Sequence, residues 1–232
     1  MKKRCLYLFA SLFLFTCAGA QPLPVVETRP GIPGFLFDLK GEVLVNKYSK
    51  VTEGSAFFSD EWLKGKFYSS DGKVYDNLAL KIDLVENEIY FLNDQSQELI
   101  LKTPVKQIIL SNIVTGQSFT FIKTDQLCQT NPRTWFQVLD TGKALLLKSQ
   151  PKQVTEYKPY GSATTEEKIT TSINYYLLYK QECLTIKSAQ ELWEKLNVEM
   201  PGFTQKTTAK GPAKKSEEEL IRLTHLFNEK AR

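Results

Sequence analysis

The segment from Leu78 to Lys123 constrains the fold more than any other part of the chain. Between Leu78 and Leu84 the even positions are apolar, whereas Ala79, Lys81 and Asp83 are small or charged. A period of two indicates a β-strand with one buried face. Further short runs, separated by turn-forming residues, cover Ile89–Leu92, Glu98–Lys102, Gln107–Val114 and Ser118–Lys123. This segment is therefore predicted to be an antiparallel β-meander.

The first twenty residues have the features of a secretory signal peptide. Three basic residues at positions 2–4 precede an apolar run from Leu6 to Phe15, and small residues occupy positions 18–20. We expect cleavage after Ala20 and export to the periplasm or cell envelope, or out of the cell. Lipidation of Cys17 is the alternative, although the residues before it only loosely resemble a lipobox. The apolar run is shorter than the roughly 20 residues of a membrane-spanning helix, so no transmembrane span is expected in the mature chain.

The charge of the chain argues against nucleic acid as a partner. The sequence has 30 Lys and Arg against 26 Asp and Glu, a formal net charge of +4. Removing residues 1–20 takes away three basic and no acidic side chains, which leaves 27 against 26. Because phosphate is recognised by clustered positive charge, we expect no binding of nucleic acid.

The mature chain divides into a lead-in, a β domain and a helical end. Residues 21–34 are rich in Pro and Gly and are predicted to be extended. Residues 35–187 are predicted to be mainly β, an antiparallel meander that closes as a sandwich or an irregular barrel. Within this domain, the alternating run Ile169–Lys180 is predicted to form one long strand that crosses the sheet.

Two C-terminal α-helices are predicted after the β domain. A Ser-x-x-Glu capping box at Ser188 begins a short helix within residues 188–203, and a second box begins an amphipathic helix over residues 216–232. Residues 204–215 have little to bury and predict a flexible linker. Leu220, Leu223 and Phe227 share one face of the last helix, and we expect this face to dock on the β domain, because so short a helix is marginal alone in water. Binding of this face to an external partner is the alternative.

Two motifs before the meander are similar to motifs found in a group of other proteins. An aromatic segment, Phe57–Gly65, contains Trp62 and ends in glycine, and the turn Gly72–Tyr75 has the form Gly-x-x-Tyr. Together with the order of β body, short helix, linker and charged final helix, these motifs resemble a group of uncharacterised secreted and envelope proteins of Bacteroidetes-type bacteria. The resemblance implies an envelope location and no particular activity, and it transfers no functional residue.

The motifs that could carry catalysis are weak. The Asp-Thr-Gly sequence at Asp140 matches the signature of aspartic proteases, but Lys143 follows where that family has Ser or Ala, so we interpret it as a turn. His225 is the only histidine, which leaves a His-based metal site or a Ser-His-Asp triad without a basis. Asp60 and Glu61 are adjacent and would point to opposite faces of a strand. No catalytic residue, metal or cofactor is therefore predicted.

Four aromatic side chains are candidates for ligand binding, with core packing as the alternative for each: Trp62, Tyr75, Trp135 and Tyr175. The predicted function is an exported, non-enzymatic envelope protein with a binding or structural role, whose partner is an envelope protein or a glycan. A hydrolase acting on an envelope polymer or glycan is the alternative function.

The cysteines agree with the predicted export of the protein. Cys128 and Cys183 are the two cysteines of the mature chain, and exported compartments are oxidising. We therefore predict a disulfide between them, with free buried thiols as the alternative.

Overall fold

A computed structural model of the chain describes residues 41–43, 47–124, 128, 134–161, 163–203 and 217–231. The predicted signal peptide (1–20), Cys17, the lead-in (21–34) and the linker (204–215) lie outside the described residues.

Strands dominate the described part of the chain, and two helices follow them. The strands are β1 (Gly41–Val43), β2 (Val51–Glu53), β3 (Leu63–Ser69), β4 (Val74–Asp83), β5 (Glu88–Leu92), β6 (Glu98–Leu101), β7 (Val105–Ser111), β8 (Ser118–Ile122), β9 (Phe136–Asp140), β10 (Ala144–Ser149), β11 (Lys152–Tyr157), β12 (Glu166–Thr171), β13 (Asn174–Tyr179) and β14 (Glu182–Ile186). The helices are α1 (Ala189–Glu199) and α2 (Glu217–Lys230). The prediction of a mainly β protein with two C-terminal helices is confirmed.

Eleven strands form one large antiparallel sheet in the order β1-β6-β5-β4-β3-β7-β8-β9-β10-β13-β14. The strands of the predicted meander are β4 to β8, but β3 lies between β4 and β7, so the meander is split into two parts. Within the described residues the sheet does not close: β1 and β14 are its two edges, which excludes the barrel form of the prediction.

The short link between β6 and β7 forces this sheet to curl. In a flat sheet these strands would be four strand spacings apart, roughly 19 Å. The chain leaves β6 at Leu101 and enters β7 at Val105, and four residue steps reach at most about 14 Å. The sheet therefore bends around its own apolar face. Side chains of β3 to β8, together with Trp135, form one buried cluster inside this curl.

The predicted single strand over Ile169–Lys180 is wrong. The chain leaves a three-stranded sheet, ordered β11-β12-β2, after Thr171 and joins the large sheet at Asn174. The partner strand breaks at the matching position, because Pro151 separates β10 from β11 and has no N–H for a strand ladder. The Ser172 N–H donates to the Pro151 carbonyl at 3.0 Å, which holds the two breaks together. A long bent hairpin thus passes from one sheet into the other.

Both helices cover the far end of the large sheet. The apolar side chains of α1 and α2 form a second buried cluster with β10, β13 and β14. Leu220, Leu223 and Phe227, the residues predicted from the helical period, are at most 1% exposed in α2. The last helix therefore docks on the β domain of its own chain.

A third, smaller cluster lies around the cysteines. The Sγ atoms of Cys128 and Cys183 are 1.97 Å apart, at disulfide distance, as the predicted pairing requires. Phe136 and Leu147 are buried beside them. The pair ties the segment before β9 to β14, the edge strand of the large sheet.

We expect peptide mapping of the protein under non-reducing conditions to recover Cys128 and Cys183 in one linked peptide, which separates on reduction. Protein prepared under denaturing conditions with an alkylating reagent present from the start is the control against artificial oxidation. Quantitative alkylation of both thiols in the exported protein would contradict the pairing.

Candidate functional site

Two of the four candidate aromatics lie in different parts of the first half of the fold. Tyr75 is 4% exposed, and its ring stacks on that of Phe67 with centroids 4.7 Å apart. Trp62 is half-buried, and the Nζ of Lys81 lies 4.8 Å from its ring centroid. Lys81 also lies 5.2 Å from the ring centroid of Phe57. Tyr75 is thus part of the core, whereas Trp62 is part of a surface stack of two aromatics and a lysine.

The other two aromatics are buried at contacts between distant elements. The Tyr175 hydroxyl donates to Glu217 Oε2 at 2.8 Å, at the beginning of α2. Burial, followed by this hydrogen bond, raises the pKa of Tyr175. The Trp135 Nε1–H donates to the Asn87 carbonyl at 3.3 Å, across the curl of the sheet. The structure therefore does not gather the four aromatics into one site.

Trp135 forms part of the wall of a groove of about 480 Å³. We call it the seam groove, because it lies where the curl brings the β6–β7 link close to the β4–β5 turn and to Trp135. Its lining residues are Glu86, Asn87, Glu88, Ile89, Leu101, Lys102, Thr103, Pro104, Val105, Lys123 and Trp135. An apolar wall with a polar rim is typical of a site for a small or chain-like ligand.

The charged rim of the seam groove is organised by ion pairs. The Nζ of Lys102 lies 2.9 Å from Glu42 Oε2 and 3.7 Å from Glu88 Oε1. The Nζ of Lys47 lies 2.8 Å from the other oxygen of Glu88. The hydrogen bond to Glu42 is the main cause that raises the pKa of Lys102. The lining side chains comprise two lysines and two glutamates, so the groove itself favours neither an anionic nor a cationic ligand.

Lys123 links the rim to the aromatic wall. Its Nζ lies 4.6 Å from the ring centroid of Trp135, which is only 2% exposed. Trp135 also belongs to the buried cluster inside the curl, so a ligand would reach its indole face only where the Lys123 side chain moved aside. Trp135 and Lys123 therefore mark the junction between the apolar wall and the charged rim of the seam groove.

Asp83 is a buried carboxylate that the sequence pattern assigns to the solvent-facing side of β4. It is 0% exposed, and Oδ1 accepts from the backbone N–H groups of Val85 at 2.8 Å and Glu86 at 3.0 Å. Oδ2 accepts from the hydroxyls of Tyr48 at 2.6 Å and Tyr90 at 3.4 Å. Four donors around one carboxylate form a satisfied polar network, which fixes the end of β4.

Lys152 continues this polar region into the three-stranded sheet. Its Nζ donates to the backbone carbonyls of Ser55 at 2.9 Å and Phe57 at 2.5 Å. Burial lowers the pKa of Lys152, and the nearby carboxylates of Asp60 and Asp83 oppose that shift. Lys152 begins β11, so these bonds attach the small sheet to the segment before β3. The sequence offered no signal for this contact, because the partners are carbonyls of a distant segment.

The Asp-Thr-Gly sequence forms the β9–β10 turn and is held by α2. Asn228 donates from Nδ2 to Asp140 Oδ2 and to the Ala144 carbonyl, both at 2.9 Å, and its Oδ1 accepts from the Ala144 N–H at 2.9 Å. A Cβ on Gly142 would lie 2.4 Å from Asn228 Cγ, so only glycine fits against the helix there. The interpretation as a turn agrees with this geometry.

We expect Asp140→Ala to lower the free energy of unfolding by about 1 kcal/mol, because it removes one hydrogen bond at the margin of the helix contact. Asn228→Ala should cost more, about 2 kcal/mol, because it also leaves both backbone groups of Ala144 without that partner. Urea unfolding measures both losses, and Glu229→Ala on the solvent side of α2 is the control. A peptidase activity that disappears in Asp140→Ala with folding intact would contradict the assignment as a turn.

The remaining sequence candidates lie apart from the seam groove. Asp60 and Glu61 are exposed, and the Ser55 hydroxyl donates to Asp60 Oδ1. His225 is 59% exposed on α2, with Nδ1 3.5 Å from Asp140 Oδ1 and Nε2 3.5 Å from Glu229 Oε1. In the described part of the chain no three His, Cys, Asp or Glu side chains are grouped so that they could hold a metal ion.

The fold and the groove define a mainly β protein with an open, curled sheet, a groove at its seam and two C-terminal helices. No family model, curated protein or solved structure matches this chain. Neither helix of the described residues is long and apolar enough to cross a membrane.

Proposed function

We propose that this protein is an exported, non-enzymatic binding protein of the cell envelope, and that its ligand is a glycan chain held in the seam groove. The observation that carries the proposal is the composition of this groove, where Trp135 and aliphatic side chains form the wall and lysines, glutamates and Thr103 form the rim. Sugars present both apolar ring faces and hydroxyls, which such a wall and rim can contact together.

Two further observations support this proposal. The Cys128–Cys183 pair at disulfide distance fits an oxidising compartment. Glycosidic hydrolysis uses two carboxyl groups that flank one bond. Of the two glutamates in the groove lining, Glu86 and Glu88, the second is engaged by both Lys47 and Lys102. Binding without turnover therefore accounts for the groove better than the hydrolase alternative does.

Calorimetric titration of the purified protein with two soluble probes tests this proposal: N-acetylglucosamine oligomers and glycan fragments released from peptidoglycan by a muramidase. We expect Thr103→Arg, which fills the groove from its rim, to weaken binding roughly tenfold or more, about 1.4 kcal/mol. The matched control is Thr115→Arg on the exposed β7–β8 turn.

The outcomes separate the alternatives. Binding that is lost in Thr103→Arg and retained in Thr115→Arg supports the seam groove as the site. Equal affinity of the two variants, or no binding of either probe, would overturn the glycan proposal. Shortened oligomers in the titration cell would instead favour the hydrolase.

A further inference from the structure

β14 is an edge strand whose outward backbone groups can be identified. Lys180 and Gln181 both have positive φ, 48° and 66°, and they connect β13 to β14 as a two-residue turn. In such a hairpin the residues that flank the turn, Tyr179 and Glu182, form a hydrogen-bonded pair, and every second pair repeats this. Leu184 therefore bonds towards β13, whereas the N–H and C=O groups of Cys183 and Thr185 point away from the sheet.

No second strand pairs with β14 among the described residues. Its only partner there is β13, in register from Tyr175 opposite Ile186 to Tyr179 opposite Glu182. A row of outward N–H and C=O groups on an edge strand is a template for one more strand. The Cys128–Cys183 pair fixes this edge to the segment before β9, so the template is held rigidly.

A groove of about 290 Å³ runs beside this edge, between β14 and α1. We call it the edge groove. Leu184, Leu196 and Val198 supply apolar lining, and Val198 is 78% exposed. The helix begins directly after β14 at its N-cap Ser188, and its other end returns to the start of the strand, where Lys180 Nζ lies 2.6 Å from Glu199 Oε2. Helix and strand are therefore antiparallel neighbours that flank the groove.

We infer that the edge groove binds an extended segment of a partner protein, which adds to the large sheet as a strand beside β14. The outward groups of Cys183 and Thr185 hydrogen-bond the added backbone. Residues opposite each other on paired strands face the same side of a sheet, so the partner residue opposite Leu184 enters the groove towards Leu196 and Val198. Main-chain bonds then supply affinity and this pocket supplies selectivity.

The charges of the edge groove define the partner segment further. Lys180 is paired with Glu199, and Lys195 lies 3.8 Å from Glu191, whereas Glu182, which also lines the groove, forms no ion pair in the described part of the chain. A side chain opposite Leu184 would meet apolar side chains, and an acidic side chain near Glu182 would be repelled. The segment that fits therefore has an aliphatic residue opposite Leu184 and no acidic residue. This inference concerns a different surface from the seam groove and does not depend on a glycan ligand.

Selection of a random octapeptide display library against the immobilised full-length protein tests the inference. We expect enrichment of peptides that carry an aliphatic residue and no acidic residue, and at least tenfold weaker binding of the selected peptides by Thr185→Pro and by Val198→Asp. Proline at position 185 removes an outward N–H and leaves the bonds to β13 in place. Val154→Asp, at a 39% exposed residue of β11, is the matched control and should bind like the unaltered protein.

Val198→Asp changes an exposed side chain, so it keeps the test decisive even if the proline variant folds poorly. Hydrogen exchange adds a readout: bound peptide should slow the amides of Cys183 and Thr185 and leave that of Leu184 unchanged. Failure to enrich any peptide, or equal binding by Val198→Asp and Val154→Asp, would overturn the inference. A concentration-dependent dimer that Thr185→Pro dissociates would assign the edge to a second copy of the chain and would overturn it too.

Discussion

A chain that ends at Phe203 is expected to lose more than about 5 kcal/mol of its free energy of unfolding, a large part of the 5–15 kcal/mol typical of a folded domain. The missing helix carries Leu220, Leu223 and Phe227, all at most 1% exposed against the sheet. Its removal would expose Leu146, Leu177 and the other apolar side chains that this helix covers. Urea unfolding followed by circular dichroism measures the loss.

Single substitutions in α2 show how much of its contribution to the free energy of unfolding comes from its buried side chains. Phe227→Ala should cost about 3–5 kcal/mol, because it opens a cavity where the ring meets Tyr179 and Phe203 edge to face. His225→Ala, at a 59% exposed side chain of the same helix, should change stability by less than about 0.5 kcal/mol. Unaltered stability of the chain that ends at Phe203 would mean that α2 contributes nothing by docking and would direct the search for partners to this helix.

Local periodicity was sufficient to predict the elements whose burial follows one repeating pattern. Leu78, Leu80 and Ile82 are all buried on one side of β4, as the period of two requires. The same holds for the apolar stripe of α2, whose three predicted residues are in contact with the sheet. In both cases a residue's environment depends on its neighbours in sequence, so sequence alone carries the information.

Periodicity could not reveal where a strand changes from one sheet to another. The alternation continues through Ser172 and Ile173, although the chain leaves β12 and enters β13 at this point. The physical cause lies in the partner strand, where Pro151 interrupts the ladder. Strand order is equally non-local: nothing near β6 or β7 indicates that β3 lies between them and that the sheet must curl.

The seam groove was hidden from sequence analysis for the same reason. Trp135 was among the predicted binding residues, but the β4–β5 turn and the β6–β7 link reach it only through the curl of the sheet. Tyr75 and Tyr175 were also predicted as binding residues, but both are buried away from the groove. An aromatic residue in a strand gives no local sign of whether it packs in the core or lines a surface. The sequence therefore indicated which type of residue could bind a ligand, but it did not indicate where in the fold a groove would form.

Asp83→Ala is expected to lower the free energy of unfolding by about 3 kcal/mol, because it leaves buried donors from several segments without their acceptor. Asp83 is 0% exposed, and its partners include the hydroxyls of Tyr48 and Tyr90. Asp76→Ala in the same strand is the matched control. The Asp76 carboxylate is 60% exposed and lies 3.6 Å from Lys66 Nζ, so its removal should cost less than about 0.5 kcal/mol. Equal losses in the two variants would show that the network around Asp83 does not stabilise the fold.

The same network predicts how stability changes in alkaline solution. Burial, followed by the hydrogen bond to Asp83, raises the pKa of Tyr48 above its ordinary value of 10.0. Above pH 10.0 the unfolded chain loses this proton while the folded chain keeps it, so the unfolded state binds fewer protons and the free energy of unfolding falls as the pH rises. Below that pH the contribution is fully present. Tyr48→Phe should therefore lose stability less steeply than the unaltered protein between about pH 10 and 11.5. Identical slopes in urea unfolding across this range would show that the hydroxyl of Tyr48 titrates alike in both states.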